Sequence, residues 1–166
     1  MCLYIKEKIG YDPLNFKPIY PEMKVADKDI VCYKILTERE RDGHKYYRTP
    51  FTGNDIGLGE IIDAKGYPDF QNCGSRFALQ EGYNTSISGG FIHTFKTKQA
   101  AIRIASNCKY DGYWIDDPVI VRCKIPKGTK YYEGVFEGTM LVSYCSKTLQ
   151  YGTKVEPVAV KNCFGF

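Results

Sequence analysis

The apolar residues of this chain come in short continuous runs rather than in long helical stripes. DIVCYKIL at 29–36 and VIVRCKIP at 119–126 are the clearest. Runs of this length, rich in β-branched residues and bounded by turn residues, read as strands buried within a sheet. Further strand segments follow the same logic. KYYRTPF stops at Pro50, after a hairpin turn marked by Asp42-Gly43. A strand over 129–136 follows Gly128, TMLVSYCS is another, and KVEPVAV is the last. The tripeptide GTK stands at 128–130 and again at 152–154. It reads as one turn solution used twice, since glycine reaches positive φ without strain.

One segment departs from the strand pattern. In GGFIHTFKTKQAAIRIA, residues 89–105, a glycine pair precedes the alternating strand FIHTF. Phe91, His93 and Phe95 fall on one face, Ile92 and Thr94 on the other. Thr97 is placed to cap a helix. Ala101, Ile104, Ala105 and Cys108 then recur at the i, i+3, i+4, i+7 spacing of a buried helical stripe. The expected fold is α+β, a mostly antiparallel sheet of six or seven strands with one principal helix at about 97–108. Residues 1–28, with three prolines, read as an N-terminal extension with room for one short strand. Residues 29–166 read as a single domain, a size that 166 residues support. The glycine-rich stretch 52–88 is the least regular. It offers a short strand in GEIIDAKG, a helix or strand in SRFALQEGYN, and a lid over any cleft.

Composition narrows function mainly by exclusion. The net charge is +4, with its 23 basic residues dispersed, so nucleic acid is not an expected partner. No window approaches a membrane span, and MCLYIKEKIGYD lacks the apolar core of a signal peptide. The seven cysteines show no CxxC pair and no histidine at zinc spacing. They read as free thiols in a reducing, cytoplasmic setting, with no metal and no cofactor implied. The acidic pair Asp116-Asp117 beside Pro118 reads as a solvated turn. Phosphate-binding loops, nucleophile elbows and HExxH are absent.

His93 has two readings. It is a neutral core histidine on a strand, or a polar group that the glycine pair and the capped helix present to a cleft. The order of elements, DIVCYKIL, GGFIHTFKTKQAAIRIA, VIVRCKIPKGTKYY and LVSYCSKTLQYGTKVEPVAV, resembles the ADP-ribosyltransferase-like fold across about residues 29–160. The resemblance implies a cleft for a nicotinamide or other nucleotide-like ligand. It also implies a basic residue in the first strand, a Ser/Thr or Tyr motif in the glycine-marked strand, and a catalytic glutamate in the late strand. Here those positions hold Lys34, His93-Thr94 and no acid. Glu133 and Glu137 lie earlier, in the preceding strand or turn. The chain is also similar to small proteins of Bacteroides-type gut bacteria and their phages. The expected function is therefore a non-catalytic binding module for a nucleotide-like small molecule or a protein, lined by Lys34, Tyr47, Arg48, His93 and Thr94. The alternatives are a phage accessory, structural or host-inhibiting protein, and a divergent NAD- or nucleotide-processing enzyme using Glu133 or Glu137.

Overall fold

A computed structural model describes residues 2–107 and 115–161. Its strands are β1 (Leu3–Ile5), β2 (Gly10–Tyr11), β3 (Pro18–Ile19), β4 (Lys24–Val25), β5 (Ile30–Arg41), β6 (His44–Arg48), β7 (Asp55–Ile56), β8 (Ile61–Asp63), β9 (Asp69–Asn72), β10 (Thr85–Ser88), β11 (Ile92–Phe95), β12 (Pro118–Ile125), β13 (Lys130–Phe136), β14 (Val142–Ser146) and β15 (Thr148–Pro157). Two short helices accompany them, α1 (Arg76–Gln80) and α2 (Lys98–Ala105). Thirteen strands form one sheet whose main path runs β8-β15-β12-β5-β11-β14-β13-β1-β10-β9, with β4, β6 and β7 attached at its sides. The neighbours on this path pair antiparallel. β2 and β3 form a separate hairpin.

The antiparallel sheet agrees with the sequence reading, but its strand number does not. Six or seven strands were expected, and thirteen are joined. The surplus is made of two- to four-residue pieces, too short for any periodicity to register. Four such strands and α1 occupy the stretch 52–88.

The two apolar runs are the spine. β5 pairs with β12 from Ile30↔Ile125 to Thr37↔Pro118. On one face Cys32, Leu36, Val121, Cys123, Ile125, Tyr144 and Tyr151 form a core. On the other, Ile35, Ile120, Phe95 and Phe136 receive Ala100, Ala101, Ile104 and Ala105 of α2. The Thr97 hydroxyl accepts from the Ala100 N–H, so the expected cap is present. The helix ends at Ala105, earlier than expected. Cys108, Cys163 and the connection at 109–114 lie outside the described residues.

Two pieces of the first 28 residues, β1 and β4, are woven into the sheet. β1 lies between β13 and β10, with Leu3 and Ile5 fully buried. β4 pairs with β13. Gly152 is no turn. It lies inside β15, where a Cβ would stand 2.4 Å from the Arg122 carbonyl oxygen. The close approach falls at the β-bulge between Val121 and Cys123. Only Gly128, at φ +84°, makes the turn expected of both GTK copies.

Candidate functional site

A cleft opens where two central strands part. β5 pairs with β11 at one position only, Phe95↔Tyr33. β11 is held on its other side by β14 through four consecutive pairs, from Ile92↔Ser146 to Phe95↔Ser143. β5 continues into its hairpin with β6, turning at Asp42 and Gly43, both at positive φ. The space left is a cavity of about 630 Å³, within the range of small-molecule sites. Its walls are the loop 49–56, residues 62–65 around the end of β8, and the segment from Ser88 to His93.

Lys34 lies at the parting point, almost wholly buried at 7% exposure. Its ammonium donates to the His93 backbone carbonyl at 2.7 Å. Burial lowers its pKa to about 8, against a small opposing effect of the Cys123 and Cys32 thiols. Those thiols face each other across β5 and β12. Burial pushes them up to about 11 at Cys32 and about 12 at Cys123. They are protonated at neutral pH and give Lys34 no counter-charge.

His93 lines the same cavity. Burial, with help from the Lys34 charge, lowers its pKa to about 3, so the imidazole is neutral. Its Nε2 atom is buried without a hydrogen-bond partner. A buried polar atom left unpaired costs about 1–3 kcal/mol, and Nε2 has no partner among the protein groups described. His93 is half-buried, its imidazole is neutral, and it borders the cleft.

The acids on the cavity wall are engaged. Asp55 accepts from Arg48 Nε at 2.6 Å, and Asp63 accepts from the Thr148 hydroxyl at 2.6 Å. The polar loop is stapled from within. The Thr49 N–H donates to the Asn54 carbonyl, and Asn54 Nδ2 donates to the Thr52 hydroxyl. Phe51, Ile56, Ile62, Phe91 and Tyr151 supply apolar wall. Gly90 forms the lip. Its φ is +62°, and a Cβ there would stand 2.3 Å from the Pro68 nitrogen. Lys147 donates to the Gly90 carbonyl at 2.9 Å and stacks over Phe91, 4.2 Å from the ring centroid.

Of the five residues singled out from sequence, Lys34 and His93 come together on the cavity wall. Tyr47 does not line it. It packs against the core on the β5–β12 face, with its hydroxyl 3.4 Å from Glu38. Arg48 reaches the cavity only through its ion pair with Asp55. Thr94 is buried on the face opposite His93, and its hydroxyl has no hydrogen-bond partner of standard geometry. Asn54 falls in the glycine-rich stretch read as a lid, but sequence reading missed Thr49 and Tyr151. Nothing local marks them, because they meet only through the sheet order.

Among the described residues no group of three or more potential ligands is placed to hold a metal. No helix there is long and apolar enough to cross a membrane. The fold and the cleft together define a mostly antiparallel sheet protein with a part-polar cavity beside its central strand. No protein-family model, curated protein or solved structure matches the chain.

Proposed function

We propose that the protein binds a small, oxygen-rich, nucleotide-like molecule in the cleft between β5 and β11 and does not turn it over. The observation that carries this reading is the cavity that pairs an almost uncompensated Lys34 with the unpartnered Nε2 of His93. A phosphate or carbonyl oxygen satisfies the first, and a donor or acceptor on a base or ribose satisfies the second. Phe51, Phe91 and Tyr151 offer flat apolar surface to a ring.

The resemblance to the ADP-ribosyltransferase-like fold supports the same place. The segments that carry it include β12, β5, β11 and β14, which are consecutive neighbours in the sheet. The residues also argue against turnover. β14 carries no acid. Glu133, on β13, lies 3.8 Å from Lys96 and does not line the cavity. The two acids that do line the cavity, Asp55 and Asp63, are held by Arg48 and Thr148, which leaves no free carboxylate among the described lining residues to stabilise an oxocarbenium-like transition state.

The test is a thermal-shift series with NAD, ADP-ribose, mononucleotides and cyclic dinucleotides. A ligand at one hundred times its Kd stabilises by about 2.7 kcal/mol. That moves the midpoint of a domain this size by roughly 5–10 °C. The shift should shrink in His93→Ala. No shift with any of these ligands overturns the reading.

A second reading, an accessory protein that docks on a partner, draws on the β2–β3 hairpin. Leu14 is 91% and Phe16 79% exposed there, an unusual cost for a free surface. Light scattering of the wild type beside Leu14→Asp/Phe16→Asp tests self-association through that hairpin.

A further inference from the structure

We propose that Lys34 is a carbonyl-capturing amine, which forms an imine with a small aldehyde or ketone held in the cleft. The proposal rests on the cleft being a ligand site, and it names the functional group that the site recognises. Three observations place the chemistry there.

First, Lys34 borders a cavity large enough for a small molecule, yet its amine meets no carboxylate. Its one described hydrogen bond goes to the neutral carbonyl of His93. The two cavity acids are held by Arg48 and Thr148. A lysine kept from water without a counter-ion loses its proton readily and becomes nucleophilic. At pH 7.5 a pKa of about 8 leaves about a quarter of Lys34 as free amine. An ordinary lysine holds about a thousandth.

Second, His93 Nε2 is neutral, buried and unpartnered on the same wall. On the same cavity wall, it offers a hydrogen-bonding atom for the hydroxyl that forms when the carbonyl is attacked. Third, the nearby nucleophiles that could compete are silent. Cys32 and Cys123 are protonated, their pKa values raised by burial.

The step balances without any oxidant or further cofactor. The Nζ lone pair attacks the carbonyl carbon, and the C=O π pair moves to oxygen. One amine proton transfers to that oxygen, giving a carbinolamine. Loss of water with the second amine proton leaves the C=N bond. The products are the imine and one water, and hydrolysis reverses the reaction.

The experiment traps the imine. The intact protein is incubated at pH 7.5 with limiting benzaldehyde and cyanoborohydride, then digested and mapped by mass spectrometry. Lys34 should be alkylated about tenfold or more faster than exposed lysines such as Lys65 and Lys98, in line with its larger free-amine fraction. The preference should vanish when the same reaction is run in urea. Lys34→Met should lose the fast site and keep the slow surface labelling. Should that variant fail to fold, the native and unfolded maps of the wild type still decide. Lys34 reacting no faster than surface lysines in the native protein overturns the proposal. A nucleotide shift with no preferential labelling leaves the cleft a binding site and removes only the imine. Labelling without any nucleotide shift removes only the nucleotide.

Discussion

Lys34 and His93 have pH signatures of the same sign in different windows, because burial disfavours the charged form of each. The folded pKa of Lys34, about 8, lies below its ordinary value of 10.5. The unfolded chain therefore binds the extra proton more tightly, and stability should rise as pH climbs from about 8 to 10.5. Below pH 8 the full cost is present, about 3 kcal/mol for a shift of this size. Lys34→Met removes that cost and forfeits one hydrogen bond of about 1 kcal/mol. Urea unfolding at pH 7 should show the variant more stable by about 2 kcal/mol, with the alkaline rise gone. For His93 the folded value is about 3 against 6.5. As pH falls below 6.5 the unfolded chain gains a proton that the native one refuses. Stability should drop by about 1.4 kcal/mol per pH unit between 6.5 and 3 from this group. His93→Gln should flatten the wild-type curve by that slope. An unchanged acid limb in the variant would show that His93 is protonated in the fold.

At the scale of elements, the glycines at the cleft divide into the needed and the tolerable. Gly90→Ala meets a left-handed φ and the backbone of Pro68 at 2.3 Å together. It should cost more than about 2 kcal/mol and displace the cavity lip. Gly89→Ala has a similar φ, but its Cβ would stand 3.1 Å from the Tyr67 carbonyl oxygen. It should cost measurably less, and thermal melts of the two variants compare them directly. The long elements were legible. β5, β12 and α2 carry continuous runs or a helical stripe with a cap, signals written in one stretch of chain. Gly152 was misread because sequence shows that a glycine is required, not why. Positive φ and a close backbone approach ask for the same residue. β8 falls in GEIIDAKG, where a short strand was offered, and β15 gives it an edge to pair with. β7 and β9 were hidden for another reason: two to four residues hold no period.

Across the whole molecule, the site was legible where a polar residue interrupts an apolar run, as Lys34 does in IVCYKIL and His93 does in FIHTF. A charge placed where a hydrophobe is expected is costly, and that cost is visible in sequence. The rest of the cleft belongs to long-range order. Thr49, Asn54, Ile62 and Tyr151 come from separate elements that the sheet brings together. The same long-range order governs the N-terminus. β1 joins β13 to β10, and β10 in turn carries β9. Leu3 and Ile5 pack with Ile87, Phe91, Tyr132 and Cys145. Burying two such side chains contributes about 3–6 kcal/mol, a large part of the roughly 5–15 kcal/mol that holds a domain together. Phe91 belongs both to this cluster and to the cleft wall. Deleting residues 1–8 should therefore lower the thermal midpoint by roughly 6–24 °C or abolish the cooperative transition, by the scaling of roughly 2–4 °C per kcal/mol. Hydrogen exchange on any folded remainder should show β9, β10 and Phe91 losing protection before β5 and β12. A truncated chain that melts like the wild type would mean that β13 and β10 pair without β1, and that the cleft stands independently of the chain's first strand.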